Sequence, residues 1–339
     1  MPVLLVDGDN LLTIGFYGVK DFFHKGKHFG GLYHFINTLR KSFESYHLDK
    51  IVVFWDGEDS SVQRRKIYHQ YKIGRKKRKK TKEEIESYIE QRTRIQQYLE
   101  ELYVRQGEFD FCETDDCIAY YIQNSPNEKI IIYSSDGDLT QLISENVKLY
   151  NPSHKKLYTT NDLYIFEREE ILIENVKIAK MLCGDKSDDI SGIKNLGIKT
   201  LIKHVPEMKT REISINEIRN RFDLLFESDK HNKLISNILT GVTREGVFGD
   251  EFYDIIEKLV DLENPYLTEE AKENIQELII SDMDPEGRSY KNTMKMMIED
   301  GIFTVLPKSD DGWVKFLNPF LRLTRKEKNR RTIKINRNE

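Results

Sequence analysis

Three apolar runs in this chain each end on an aspartate: "VLLVD" at 3–7, "KIVVFWD" at 50–56 and "KIIIYSSD" at 129–136. Each run has the length and composition of a buried strand. Between them lie stretches with helical spacing. Residues 32–46 repeat apolar side chains at Leu32, Phe35, Ile36, Leu39 and Phe43. Residues 82–104 do so at Ile85, Tyr88, Ile89, Ile95, Leu99 and Leu102, and 113–123 starts a third helix with acids in its first turn. Strands alternating with helices predict an α/β fold with a parallel sheet core flanked by helices. In such sheets ligands gather at the carboxyl ends of the strands. Asp7, Asp56 and Asp136 all fall at such an end, and an amphipathic helix is expected to start beside Asp136 and Asp138.

Beyond about residue 175 helical stretches dominate and no repeat is evident. The last 20 or so residues read as a basic, weakly structured tail. The net charge is -4, but the charges are segregated. Residues 64–82 hold 11 Lys or Arg and no acid, and residues 322–337 hold eight more against one Glu. Such segregation points to a polyanion held against a locally acidic site. No apolar run nears the roughly 20 residues of a membrane span, so no membrane partner is expected. The start of the chain does not read as a secretion signal. Cys112, Cys117 and Cys183 lack metal-site pairing, which suits a reducing, intracellular setting.

The acids form the informative set: Asp7; Asp56; Glu113, Asp115 and Asp116; Asp136 and Asp138; Asp185 and Asp188. Taken singly, each has an ordinary explanation as a cap, a turn residue or a helix start. Nine carboxylates in five segments of one α/β chain are harder to explain that way. Packed together without cations they would repel and be partly protonated. A hard cation such as Mg²⁺ takes oxygen ligands and keeps several waters. Two such ions about 4 Å apart can hold the attacking and leaving oxygens of a phosphodiester in line. The basic stretch supplies the complement: Arg64, Arg65, Lys72 and Arg75 for phosphates, interleaved with Tyr68, His69 and Tyr71, of which the tyrosines can stack on bases. In "GIKNLGIKT" (192–200), Gly192 and Gly197 are spaced for a tight turn between two short helices, exposing backbone N–H groups to a phosphate.

In order and spacing these segments resemble the structure-specific 5′ nucleases, or flap endonucleases. The resemblance rests on Asp7-Gly8, "FWDG" (54–57), "YKIGR" (71–75), "ETDD" (113–116), "SSDGDLTQL" (134–142) and "GDKSDDISGIKNLGIKT" (184–200), and covers about residues 3–205. The segment from 134 to 158 looks most like the T-even-type phage ribonuclease H branch. Asp189, Ser191 and Asn195 depart from the family's usual Asn, Pro and Gly, and Asp9 is an additional acid.

The resemblance implies a PIN-like nuclease core over 1–180 with a basic helical arch at about 57–105. It further implies a helical region over 181–305 with a helix-hairpin-helix at 186–205, and a basic tail over 306–339. It implies a Mg²⁺-dependent 5′-3′ exonuclease or flap endonuclease acting on branched or RNA-primed duplex DNA in replication or repair. Two Mg²⁺ ions are expected, with Mn²⁺ able to substitute and K⁺ at the hairpin. Asp7, Asp56, Asp116, Asp136 and Asp138 would form the inner ligand set. Glu113, Asp115, Asp185 and Asp188 would hold a second ion or its waters. Lys72 and Arg75 would contact the scissile phosphate. Arg64, Arg65, Tyr68, Tyr71, Gly192, Lys194, Gly197, Lys199 and Thr200 would contact DNA. Expected partners are DNA or an RNA–DNA hybrid with a 5′ end or flap, and a single-strand-binding protein or sliding clamp. The expected location is the cytoplasm of a bacterial or phage-infected cell. The alternatives are a PIN-type RNA-processing endonuclease and a non-catalytic binder of branched DNA.

Overall fold

The computed structural model describes the whole chain except residues 75–79, 230, 250, 284–286, 310 and 336–339, and from residue 326 it describes backbone only. Contacts divide the chain into two units that are not contiguous in sequence. The first comprises Met1–Glu58, Lys80–Ser134 and Leu267–Glu339, and the second Asp59–Lys79 and Ser135–Tyr266.

The first unit is built on parallel strands. β1 (Val3–Asp7) lies between β4 (Lys50–Asp56) and β6 (Ile130–Tyr133), and β5 (Arg105–Phe109) pairs with the far side of β4. A small antiparallel pair, β2 (Phe23–His24) and β3 (Lys27–His28), precedes β4. β1 and β4 are buried on both faces, as the continuous apolar runs require. Register decides where the acids fall. Asp7 stands opposite Phe54, so Asp56 reaches two residues further along the same carboxyl edge.

Helix Gly30–Tyr46 buries Leu32, Phe35, Ile36, Leu39 and Phe43, as its spacing predicts. Phe35 stacks on the fully buried Trp55 of β4, with ring centroids 5.5 Å apart. Deleting a side chain this buried costs about 3–5 kcal/mol. Gly8 is required by the same ring, because a Cβ there would lie 2.6 Å from a Trp55 carbon. Helix Lys82–Glu101 is capped by Thr81, whose hydroxyl accepts the Glu84 N–H at 3.1 Å. It buries Ile95, Tyr98 and Leu99. Its expected apolar face is only half used, since Ile85 and Ile89 are 44% and 56% exposed.

The expected basic tail over 306–339, whose last 20 or so residues read as weakly structured, contains the helix Gly312–Ile335. Its first half buries Phe316, Leu317, Phe320 and Leu323, an i, i+1, i+4, i+7 stripe that the charge count concealed. It packs on helix Gly30–Tyr46, while Glu269–Ile280 packs on β5 and on helix Thr114–Gln123.

The second unit carries antiparallel pairs and short helices. β7 (Val147–Asn151) pairs with β8 (Lys156–Tyr158), and β9 (Leu163–Phe166) with β10 (Glu169–Leu172). The amphipathic helix expected beside Asp136 is only one 3-10 turn, Asp138–Leu142. Ser144 and Val147 bond to each other directly after it and turn the chain into β7. Helix Val176–Cys183 leads into β11 (Gly184–Asp185), which pairs with β12 (Ile190–Ser191). Thus of the two hairpin helices expected within 186–205, only Ile198–His204 forms there. The ladder explains the difference: a Cβ at Gly192 would lie 2.1 Å from the Cys183 carbonyl carbon, so the glycine closes this pair rather than joining two helices. Among the described residues no helix is long and apolar enough to cross a membrane.

Candidate metal centre

In the first unit five of the predicted carboxylates sit at the carboxyl edge of the parallel strands or in the helix that follows β5. Asp7 ends β1 and caps helix Gly8–Gly18, accepting the Asn10 N–H at 3.0 Å. Its other oxygen accepts the Ser134 hydroxyl at 3.0 Å. Burial pushes the Asp7 carboxyl well above the usual carboxylate range, and the nearby Asp56, Asp115 and Asp9 push it further. Asp56 ends β4 and accepts the Thr114 N–H at 2.9 Å, which ties it to the start of helix Thr114–Gln123. Glu113 is the residue before that helix, and Asp115 and Asp116 lie in its first turn, where the helix dipole favours acids. Glu113 and Asp116 are buried.

The second unit gathers four more acids around a lysine. The Lys180 ammonium lies 2.8 Å from Asp138, 2.8 Å from Asp185 and 3.5 Å from Asp136. Oxygens of Asp138, Asp185 and Asp188 all lie within 4.8 Å of one another. Burial raises the Asp136 carboxyl, but Lys180 and the Asp138 N–H at 2.8 Å leave it below its ordinary value. Asp138 ends well above its ordinary value, because burial and the neighbouring Asp136, Asp185 and Asp188 outweigh Lys180. Burial also opposes the charge on Asp185, yet Lys180 and Ser187 bring it down to about 2. Burial disfavours the charge on Lys180, and the surrounding acids hold its pKa well above the ordinary value. A cluster of oxygen donors that already gathers a positive charge fits a hard divalent cation.

The predicted substrate residues divide. Lys72 is buried; its backbone N–H donates to the Asp188 carbonyl at 2.9 Å and its ammonium lies 3.9 Å from the Asp188 carboxylate. Arg75 lies outside the described residues. Base stacking by Tyr68 and Tyr71 does not fit their placement, since both rings are buried. The Tyr68 hydroxyl donates to Glu245 at 2.7 Å and that of Tyr71 to Asp188 at 3.2 Å. Arg64 is likewise buried, donating to the Leu259 carbonyl at 2.9 Å with its guanidinium over the Tyr266 ring. Arg65 donates to the Tyr71 carbonyl at 3.1 Å. Tyr68, Tyr71 and Arg64 brace the segment instead, their polar ends engaged by Glu245, Asp188 and the Leu259 carbonyl. Lys194 and Lys199 are exposed, and Gly197, Lys199 and Thr200 stand at the start of helix Ile198–His204. Gly192 is buried at the turn, and the Lys194 N–H, expected to face a phosphate, donates to the Val242 carbonyl at 2.9 Å.

The 5′-3′ exonuclease, N-terminal resolvase-like domain matches residues 2–172. This chain belongs to the 5′-3′ exonuclease family. The nuclease is 28% identical over 263 residues to a 5′-3′ exonuclease of Halalkalibacterium halodurans, covering 72% of this chain and 84% of that protein. It is 30% identical over 203 residues to the 5′-3′ exonuclease of Aquifex aeolicus, covering 58% of this chain and 66% of that one. Among solved structures, phage T5 5′-exonuclease with bound divalent metal ions (zinc) aligns over 95% of this chain and 99% of that chain, with a TM-score of 0.62 and 19% identity. At that identity the likeness speaks to the fold, a PIN-like core with a helical C-terminal region. The RNA-processing and non-catalytic alternatives are not favoured by these relationships.

Lys180 and Arg92 have no place among the residues singled out from the sequence. Lys180 lies in the apolar helix Val176–Cys183 beside buried Ala179 and Met181. Arg92 lies outside the strand-end pattern, and Asp9, the additional acid, pairs with it at 3.1 Å.

Proposed function

We propose that this nuclease uses Mg²⁺ to hydrolyse phosphodiesters at 5′ ends and 5′ flaps of branched or RNA-primed duplex DNA, in primer removal or repair. One observation carries the reading: in a 5′-3′ exonuclease, all nine expected carboxylates are present, five on the sheet-bearing unit and four gathered around Lys180. The nine acids are the proposed ligands of two divalent ions, with Mn²⁺ able to replace Mg²⁺. When bound, such ions supply Lewis-acid stabilisation of the attacking and leaving oxygens.

The chain's own residues hold that chemistry in place. The Asn10 N–H and the Ser134 hydroxyl fix the two oxygens of Asp7. The Thr114 N–H fixes Asp56. Lys180 offsets the charge that Asp138 and Asp185 place in a poorly solvated setting. Lys72, with Arg75, is the proposed cation at the scissile phosphate, where stabilisation of developing charge is most effective. Residues 57–105 are the proposed arch, and Lys194, Lys199 and Thr200 the proposed contacts to a duplex backbone, with K⁺ at that turn. The DNA partner of this reading accords with a phage T5 flap endonuclease solved with DNA and metal ions. A sliding clamp or single-strand-binding protein, and a cytoplasmic location, complete it.

The test is cleavage of a 5′-flap duplex and of an RNA-primed duplex, each with and without Mg²⁺. The reading expects products from the 5′ end of both, only with the metal. Cleavage confined to single-stranded RNA would overturn it.

A further inference from the structure

The tripeptide Asp7-Gly8-Asp9 presents two carboxylates, and the structure gives them different work. Asp7 faces the Asn10 N–H and Ser134. Asp9 instead accepts the backbone N–H of Asp56 at 3.0 Å. Its carboxylate is paired with Arg92 at 3.1 Å. Arg92 also donates to the Asp56 carbonyl at 3.0 Å and to Glu108 at 2.9 Å, and its guanidinium lies over the Trp55 ring. Tyr88, one turn before Arg92, points its hydroxyl at the Asp9 carbonyl at 3.3 Å. The N–H and the C=O of Asp56 are therefore both held, one by Asp9 and the other by Arg92.

We propose that Asp9 and Arg92 are positioning residues that clamp the Asp56 backbone, so that the end of β4 presents its carboxylate to a divalent ion in one orientation. The inference rests on Asp56 being a metal ligand, as proposed above. Three features support positioning over direct ligation. Asp9 already has a full counter-charge in Arg92. Its oxygens are used on the Asp56 N–H and on the guanidinium. Arg92 fills its fork with three separate acceptors, a geometry that a lysine cannot reproduce. The arrangement also links helix Lys82–Glu101 to the strand end that carries Asp56.

The test is calorimetric titration of Mn²⁺ into the intact chain, with thermal melts to confirm folding. The variants are Asp9→Asn, Asp9→Ala, Arg92→Ala, the double Asp9→Ala/Arg92→Ala, and Asp56→Asn as reference. Outer ligands of metal sites typically cost about ten-fold or more in affinity when removed. Asp9→Ala and Arg92→Ala should each raise the metal dissociation constant about ten-fold at unchanged stoichiometry, and the double variant should be no worse than either. Asp9→Asn should stay close to the unmodified protein, because an amide oxygen still accepts the Asp56 N–H. Should Asp9→Ala not fold, Arg92→Lys carries the same test, with a smaller expected loss. Loss in Asp9→Asn as deep as in Asp9→Ala, together with a fall in stoichiometry, would make Asp9 a ligand and overturn the clamp. Normal binding by both alanine variants beside a defective Asp56→Asn would sink the clamp alone. Normal binding by Asp56→Asn would remove the ligand reading beneath it, and the clamp with it.

Discussion

The Lys180 ammonium sits 2.8 Å from the Asp138 carboxylate, and the lysine side chain is only 7% exposed. A lysine this buried needs its acids, and they need it. Removing one member of a buried pair costs about 3–5 kcal/mol, because the partner is left charged without compensation. Lys180→Met should therefore lower the metal-free melting temperature clearly. Millimolar Mg²⁺ should restore more of that loss than it adds to the unmodified protein, since a divalent ion can take over the counter-charge. Calorimetric melts with and without Mg²⁺ decide it. Equal metal responses in the two proteins would mean that Lys180 and the ion do not share these carboxylates.

Asp7 yields a pH prediction. Its folded pKa is raised above the unfolded value, so its protonated form favours the fold and the benefit is lost as pH rises through the folded pKa. At pH 8, without metal, Asp7 is a cost. Asp7→Asn should raise the metal-free melting temperature at pH 8 by about 2 °C, the change that roughly 1 kcal/mol makes in a chain of this size. The gain should shrink toward pH 4, and cleavage should be lost throughout. A variant less stable at pH 8 would show that Asp7 gains more from its two donors than it loses by burial.

Lys72 is close to Asp188 yet is the proposed cation at the scissile phosphate. Lys72→Ala should slow the single-turnover rate about 100-fold, the scale of removing one preorganised charge from the transition state. DNA binding should change little, because the basic stretch offers many other cations to the backbone. Comparable losses in rate and affinity would reduce Lys72 to an ordinary phosphate-binding residue.

Lys194 and Lys199 are exposed beside the turn at 192–200. Replacing both with alanine should weaken duplex binding and lower the salt-dependence slope by about 2, one unit for each phosphate no longer neutralised. Cleavage of a short single strand should be unaffected. Equal damage to both substrates would place the turn in the chemistry.

Much of this was legible in the sequence. The runs ending on Asp7 and Asp56 are strands that end on those aspartates, because a parallel sheet buries continuous apolar runs; the third is also a strand, but it stops at Tyr133, three residues before Asp136. The helix at Gly30–Tyr46 followed from its spacing. Other parts depended on tertiary neighbours. Tyr68 and Tyr71 look like stacking residues among cations until Glu245 and Asp188 are seen to take their hydroxyls. The short ladder of Asp185 with Ile190 reads as a loop, because two-residue strands carry no period. Lys180 and Asp138 lie far apart in sequence, and nothing local shows which helix face meets that acid. The helix Gly312–Ile335 was hidden by its own charges.

The most direct test of the account is the single-turnover cleavage rate of Asp138→Asn on a 5′-flap duplex at saturating Mg²⁺, with DNA affinity measured alongside in Ca²⁺. The account predicts affinity near that of the unmodified protein and cleavage reduced by about 1,000-fold or more, as expected when a preorganised charge at the reacting centre is removed. A near-normal rate would contradict it, and would remove Asp138 and its partners around Lys180 from the metal centre.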